Sequence, residues 1–250
     1  ERLVGSERCI RDSASCMRTT TLPSMLEVLA RNWNYRNKSA KVYEFAKIYL
    51  KRPDGLADEP KVLTLGAYGD GMDFYALKGA VEELCDALLI QNVEYRPVKD
   101  DPSYHPGRCA ALYADGKCLG KFGQVHPLVA KNYGVSAELY AAELNFQAMF
   151  DHRTTEVYYT PLPRFPSVNR DIAVVCDDGA TAGELMGCIR EAGGEYLKSC
   201  EVFDVYKGAN IPEGKKSVAF SLILRADDQT LTDAHADEAV QAILAALHEK

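Results

Sequence analysis

The last third of the chain alternates strand-like apolar runs with helical stripes. Short apolar runs at 171–176, 199–206 and 217–225 are typical of strands. Between the first two runs, apolar residues recur at the spacing of one helix face: Leu185, Cys188, Ile189 and Ala192. A second helical stripe extends from about 232 to 248. The predicted order β-α-β-β-α is that of a split βαβ unit.

Turn and cap residues separate these elements. Thr181, followed three residues later by Glu184, has the sequence of a capping box at the start of the first helix. A glycine pair at 193–194 ends that helix. Three closely spaced prolines upstream disfavour helix and predict an extended linker at 159–167. We therefore expect a domain at 168–250 behind a linker.

The first 158 residues predict a separate α+β domain. A strong turn signal at Asp115-Gly116 indicates a hairpin whose second strand is 119–125. The other expected elements are helices at 22–33, 73–88 and 128–133 and strands at 41–50, 62–68, 93–98 and 139–144. Apolar residues on both faces of 41–50 indicate a strand that is covered on both sides. This pattern favours a mostly antiparallel sheet with helices packed on it.

The helix at 22–33 carries two large apolar side chains, Met25 and Trp33. Pro23 stands in its first turn, where proline is tolerated. Such an amphipathic helix packs either on the core of its own domain or on another subunit, and Met and Trp are enriched at interfaces. The pattern alone leaves both interpretations open.

Composition excludes several classes of protein. The chain has 47% apolar residues, enough for real cores. It has no apolar run of about 18 residues and no signal-peptide pattern, so we expect a soluble, cytoplasmic protein. The eight cysteines form no C-x-x-C pair. We expect reduced thiols rather than disulfides or a zinc site.

Charge is distributed unevenly along the chain. Residues 1–164 hold 21 basic and 21 acidic side chains, whereas residues 165–250 hold 8 basic and 15 acidic ones. The net charge of −7 therefore lies on the second part. A domain that bound nucleic acid through diffuse electrostatics would be basic. Any nucleic-acid contact here needs a local patch and base stacking.

Four blocks in the second part resemble a known family. They are RFPSVNRDIA at 164–173, FDVYKG at 203–208, PEGKKS at 212–217 and TLTD at 230–233. In this order and spacing they are similar to the ferredoxin-fold anticodon-binding domain that ends the β subunit of bacterial phenylalanyl-tRNA synthetases. Four separate blocks make this resemblance specific.

The first 158 residues resemble another module of the same subunit. The blocks are MRTTTLP at 17–23, GDGMDFYALKG at 69–79, HPGR at 105–108 and GQVHP at 123–127. They are similar to the catalytic-like but non-catalytic module, which is related to the class II synthetase fold. The fold class implied is therefore a class II synthetase-like antiparallel sheet with helices, followed by a ferredoxin-like β-α-β-β-α domain.

The resemblance implies a carboxy-terminal fragment of a phenylalanine–tRNA ligase β subunit, with the last ferredoxin-like strand missing. In the family, two α and two β subunits assemble, and the α subunit uses ATP and Mg²⁺ to attach phenylalanine to tRNA(Phe). The functions that the resemblance implies for this chain are subunit assembly and contact with the anticodon. No catalytic residue, metal or cofactor is expected in it, and no DNA or membrane partner.

The resemblance also implies site residues on the strand at 199–206. Positions matching Tyr206 and Ser217 lie at the anticodon-recognising surface of the family. Strand alternation places Val202 and Asp204 on the same face as Tyr206, with Phe203 on the other. Tyr206 would stack on an unpaired base, and Asp204 would accept hydrogen bonds from a guanine edge. The alternative for Tyr206 is an ordinary half-buried sheet tyrosine.

Three lysines and one helix complete the predicted sites. The lysines flank the strand pair and are expected to reach phosphates, or else belong to a solvated turn: Lys207, Lys215 and Lys216. For the helix at 22–33, the resemblance favours the subunit interface. The residues expected there are Arg18, Met25, Leu29 and Trp33.

Two rival functions are a pure scaffold without RNA contact and a stand-alone enzyme that binds ATP through Arg108. Arg108 is the only arginine in a suitable loop-to-strand setting, and no second one accompanies it. His105 and His126 each precede a proline, which favours turn roles over chemistry. Asp70 and Asp73 fit either a cation site or a turn and helix start. We therefore expect no active site.

Overall fold

A computed structural model describes residues 16–53, 55–155, 159, 161–208 and 210–248. The chain divides into two compact units, Glu1–Val157 and Tyr158–Lys250.

The first unit is built on a six-stranded sheet. Its elements are α1 (Leu22–Asn34), β1 (Ala40–Lys47), β2 (Lys61–Tyr68), α2 (Phe74–Ala87), β3 (Val93–Pro97), β4 (Tyr104–Ala114), β5 (Lys117–Val125), α3 (Pro127–Asn132), β6 (Tyr140–Asn145) and α4 (Phe146–Asp151). The strands lie in the order β1-β2-β6-β5-β4-β3, and every neighbouring pair is antiparallel. The sheet is therefore antiparallel, as the hairpin signals predict.

The core of this unit lies on both faces of the sheet, because successive strand residues point to opposite faces. Ala141 of β6 packs with α1 and α3, whereas Ala142 and Leu144 pack with α2 and α4. Gly66 of β2 has no Cβ, which lets Met25 of α1 lie directly against the strand.

The position of β1 corrects one expectation. Instead of being covered on both sides, β1 is an edge strand whose residues alternate between half-buried and exposed. Tyr43 and Phe45 are 76% and 50% exposed. The strand also ends at Lys47, and Leu50 forms only an isolated bridge with Asp58. Apolar residues on both faces did not distinguish an edge position from a central one.

Helix α4 was not predicted from the sequence. Asn145, the last residue of β6, caps it by accepting a hydrogen bond from the Ala148 N–H at 3.0 Å. Ala148 and Met149 of α4 are buried.

The second unit has a three-stranded antiparallel sheet with two helices on one face. Its elements are β7 (Val168–Asp177), α5 (Ala182–Gly193), a short 3₁₀ turn (Gly194–Tyr196), β8 (Leu197–Tyr206), β9 (Lys215–Leu224) and α6 (Asp233–His248). The strand order β7-β9-β8 puts the third strand between the first two, as in a split βαβ unit. The predicted capping box between Thr181 and Glu184 is present at the start of α5.

One face of this sheet forms the core of the second unit. Val218, Phe220 and Leu222 of β9 are buried against the two helices, together with Ile189 and Ile243. The residues between them on β9 point to the opposite face, over which no helix lies in the described part of this unit.

Among the described residues, no helix combines the length and apolarity needed to cross a membrane. Six of the cysteines that the structure describes are free thiols: Cys85, Cys109, Cys118, Cys176, Cys188 and Cys200.

Candidate nucleic-acid interface

The uncovered face of the second sheet brings together two predicted site residues, Tyr206 and Ser217. Tyr206 of β8 pairs directly with Ser217 of β9, and Ser217 pairs on its other side with Val175 of β7. Directly paired residues point to the same face of a sheet, so these three side chains form one row across it. In the next row, Asp204 lies opposite Ala219.

A β-bulge in β8 corrects the predicted alternation of this strand. Val202 pairs with Phe220 and Asp204 with Ala219, so Phe203 is an extra residue that opposes none. Val202 consequently points to the helix-covered face with Phe220, and does not share the face of Tyr206. Asp204 and Tyr206 do share a face, because both lie after the bulge.

The row around Tyr206 forms a shallow apolar surface. Tyr206 and Val175 are 47% and 51% exposed, and they flank the short side chain of Ser217. Ala219 and its β7 partner Ala173 continue the surface with small side chains. Exposed aromatic and apolar side chains beside small ones leave space in which a flat base can stack. Sequence reasoning missed Val175, Ala173 and Ala219, which only the strand register identifies.

Acidic side chains border this surface. Asp171 of β7 and Glu201 of β8 pair with the same residue, Ser221, and therefore point to the same face as Asp204. Three carboxylates on one face repel phosphates, whereas they can accept hydrogen bonds from the amino groups of bases. The geometry thus favours an approach of bases rather than of the phosphate backbone.

The three predicted lysines all bond to one acidic turn at the end of β7. Lys207 forms an ion pair with Asp178, and Lys215 lies 3.7 Å from Asp177. Lys216 donates a hydrogen bond to the main-chain oxygen of Asp178 at 3.0 Å. The hydrogen bond from Lys207 lowers the pKa of the Asp178 carboxyl group. A phosphate would have to replace these internal partners, so the role of these lysines stays a prediction.

The ion pair at Asp178 leads to a prediction about salt dependence. Asp178→Asn removes the carboxylate partner of Lys207, and we expect it to tighten RNA binding severalfold. One additional phosphate contact should steepen the slope of log affinity against log salt by about 0.7. Titrations at several salt concentrations measure this slope.

A matched control for that variant is Asp227→Asn. It removes the same charge and breaks ion pairs of the same kind, with Lys198 at 2.7 Å and with Arg225 at 3.6 Å, at the opposite end of the sheet. Equal effects of the two variants, or none, would show that Lys207 does not contact phosphate.

In the first unit, the structure places the four predicted interface residues in different surroundings. Met25 and Leu29 are 2% and 0% exposed, because they pack on β2 within their own unit. They are not available to a partner surface, which corrects that expectation. Trp33 is half-buried, edge-on to the buried ring of Tyr68 at 5.7 Å between centroids.

Arg18 fixes the segment before α1 to the edge of the sheet. Its guanidinium group donates to Glu44 at 2.7 Å and to the main-chain oxygen of Lys47 at 3.1 Å. Nearby, Glu143 of β6 accepts hydrogen bonds from Thr20 Oγ1 and Thr21 N, at 2.7 and 2.8 Å. Sequence reasoning missed Glu143, which lies more than a hundred residues along the chain from its partners.

Arg108 is engaged by two side chains of its own unit. It donates to Gln124 at 2.9 Å and forms an ion pair with Glu138 at 3.2 Å. A hydrogen bond from Tyr140, together with Arg108, lowers the pKa of Glu138. Burial, together with the hydrogen bond to Glu138, raises the pKa of Tyr140 to about 12. A nucleotide phosphate at Arg108 would have to compete with these partners.

Three other candidate residues make local hydrogen bonds to main-chain N–H groups. The Nδ1 atom of His105 accepts a hydrogen bond from the main-chain N–H of Gly107. In the same way, Nδ1 of His126 accepts one from the main-chain N–H two residues later. Asp73 caps α2 by accepting a hydrogen bond from the Ala76 N–H at 2.7 Å. Within the described residues there is no group of three or more side chains suited to hold a metal ion.

Comparison with known proteins assigns both units. The family sequence model described as the ferredoxin-fold anticodon-binding domain matches residues 163–250, so the second unit is a domain of this class. The model of the phenylalanyl-tRNA synthetase β-chain CLM domain matches residues 7–146. The chain belongs to the phenylalanyl-tRNA synthetase β-chain family, and the resemblance stated from the sequence is confirmed.

Curated phenylalanine–tRNA ligase β subunits are similar over most of the chain. The subunit of Clostridium tetani is 41% identical over 93% of this chain and 30% of its own length. That of Moorella thermoacetica is 38% identical over 100% of this chain and 32% of its own. The chain thus spans about a third of the length of these relatives.

Among solved structures, a pyrrolysyl-tRNA synthetase from Desulfitobacterium hafniense matches with a TM-score of 0.45 and 11% identity. The match covers 54% of this chain and 48% of that one. This likeness is too low to support an argument about fold or function.

Proposed function

We propose that this chain is a non-catalytic part of a phenylalanine–tRNA ligase β subunit that recognises the anticodon of tRNA(Phe) and contributes to subunit assembly. In this proposal the α subunit is the partner and carries out the ATP- and Mg²⁺-dependent aminoacylation. The observation that carries the proposal is the row of Tyr206, Ser217 and Val175 on an uncovered sheet face, with Asp204 beside it.

The electrostatics of the second unit support base recognition rather than general RNA binding. Three carboxylates on its uncovered face oppose phosphates, and Lys207 and Lys215 are paired with acids at the end of β7. An unstacked base can still stack on Tyr206 while its amino groups bond to Asp204. This is the chemistry expected for reading an anticodon loop, where bases are splayed out.

The proposed assembly role rests on the family and on the exposed side of α1. Because Met25 and Leu29 are buried in their own unit, contacts with an α subunit would use outward side chains such as Val28 and Tyr35, 39% and 76% exposed. We also propose that the first unit is a class II synthetase-like module without nucleotide chemistry. The engagement of Arg108 by Gln124 and Glu138 supports this part.

A change of anticodon tests the proposed function. In the assembled ligase we expect tRNA(Phe) with an altered anticodon to bind about tenfold more weakly than the native tRNA, because the new base can still stack but loses the hydrogen bonds between the native base edge and Asp204. Equilibrium binding at physiological salt measures the difference. Equal affinity for both tRNAs would favour the alternative, a scaffold without anticodon contact.

A further inference from the structure

The main chain at Gly208 lies against the ring of Tyr206. A Cβ atom added to Gly208 would overlap the hydroxyl oxygen and Cζ of Tyr206, and would lie 3.0 Å from its Cε1. The outer edge of the phenol ring therefore rests on the Gly208 Cα. No side chain larger than hydrogen fits at this position with the ring where it is.

The contact depends on the turn that follows β8. Tyr206 is the last residue of the strand, and the chain turns at once, with the Gly208 oxygen accepting a hydrogen bond from Ile211 N at 2.9 Å. Gly208 is not among the residues with positive φ. Alanine therefore meets no left-handed backbone strain here, and the three nearest atoms to its methyl group would all belong to the Tyr206 side chain.

We propose that Gly208 is a positioning residue that sets the orientation of the Tyr206 ring for stacking on an anticodon base. This inference rests on the proposed function. The ring is about half exposed, so it is not enclosed on all sides. A methyl group at 208 would displace the ring from the uncovered face without opening the core. The effect would fall on recognition and leave folding unchanged.

The test is Gly208→Ala in the assembled ligase, with equilibrium binding of tRNA(Phe) and denaturant unfolding measured side by side. We expect about three- to tenfold weaker binding, because part of the stacking is lost, and an unchanged unfolding midpoint. The matched control is Gly187→Ala. A Cβ at Gly187 of α5 meets nothing within 4 Å, so this variant should bind as the wild type does.

A positioning role makes a further requirement, because Gly208 must act only through Tyr206. In a Tyr206→Ala background, Gly208→Ala should cause no additional loss of affinity. An equal loss in both backgrounds would overturn the inference, because the turn itself would then contact the tRNA. Wild-type binding by Gly208→Ala, with weakened binding by Tyr206→Ala, would also overturn it and leave the proposed function intact. No effect of Tyr206→Ala would likewise overturn the inference, whereas the proposed function would fail only if the change of anticodon also had no effect.

Discussion

Leu29→Ala is expected to destabilise the first unit by about 2–5 kcal/mol, the usual cost of truncating a buried leucine to alanine. Leu29 has no exposed surface and packs on β2, where Gly66 gives α1 a close approach to the sheet. Truncation would leave a cavity between helix and strand that neither element can close without moving. If Leu29 lay at a subunit interface instead, the same substitution would weaken assembly and leave folding unchanged.

Trp33 allows this effect to be measured in the first unit alone. It is the only tryptophan of the chain and lies edge-on to Tyr68, so its fluorescence reports the unfolding of α1 from the sheet. Urea titration of the chain gives the free energy of unfolding for each variant.

Val28→Ala is the matched control, because Val28 lies on the same helix and is 39% exposed. For this variant we expect the free energy of unfolding to change by at most about 0.5 kcal/mol. If Leu29→Ala were no more destabilising than Val28→Ala, α1 would not be anchored in its own unit as the structure has it.

Tyr206→Ala is expected to weaken tRNA(Phe) binding by about 1–3 kcal/mol, the range for one base stacked on an aromatic ring. The loss should be largely independent of salt, because no charge is removed. Binding is measured by equilibrium titration of the assembled ligase at low and physiological salt. The stability of the second unit should change little, because the ring is about half exposed and lies outside the core.

Tyr206→Phe separates stacking from hydrogen bonding at this position. The ring is retained, so binding within about twofold of the wild type is expected if stacking dominates. A loss as large as that of Tyr206→Ala would instead assign the effect to the hydroxyl group. Wild-type binding by Tyr206→Ala would identify Tyr206 as an ordinary sheet tyrosine.

Local signals were sufficient for most of the second unit. Apolar alternation, the capping box at Thr181 and the helical stripes predict its five main elements in their observed order. The strand and helix ends differ by a few residues, because pairing along β7 and β9 extends beyond the apolar runs. These features depend on residues close together in the chain, which a sequence displays directly.

Features set by long-range pairing were not predictable in this way. The bulge at Phe203 depends on how β8 meets β9, and the edge position of β1 depends on the order of all six strands. The pairing of Lys207 with Asp178 arises because β7 and β8 both run antiparallel to β9, which places their carboxyl ends at the same end of the sheet. The apolar row beside Tyr206 and the contact of its ring with Gly208 likewise need the folded sheet.

The most direct test of anticodon recognition by the uncovered sheet face is a double-mutant cycle. It combines Tyr206→Ala with a change in the anticodon of tRNA(Phe), measured as equilibrium affinity in the assembled ligase. If the ring stacks on an anticodon base, each change alone weakens binding, and the two together cost little more than the larger one. Fully additive losses, or no loss from either change, would contradict this account.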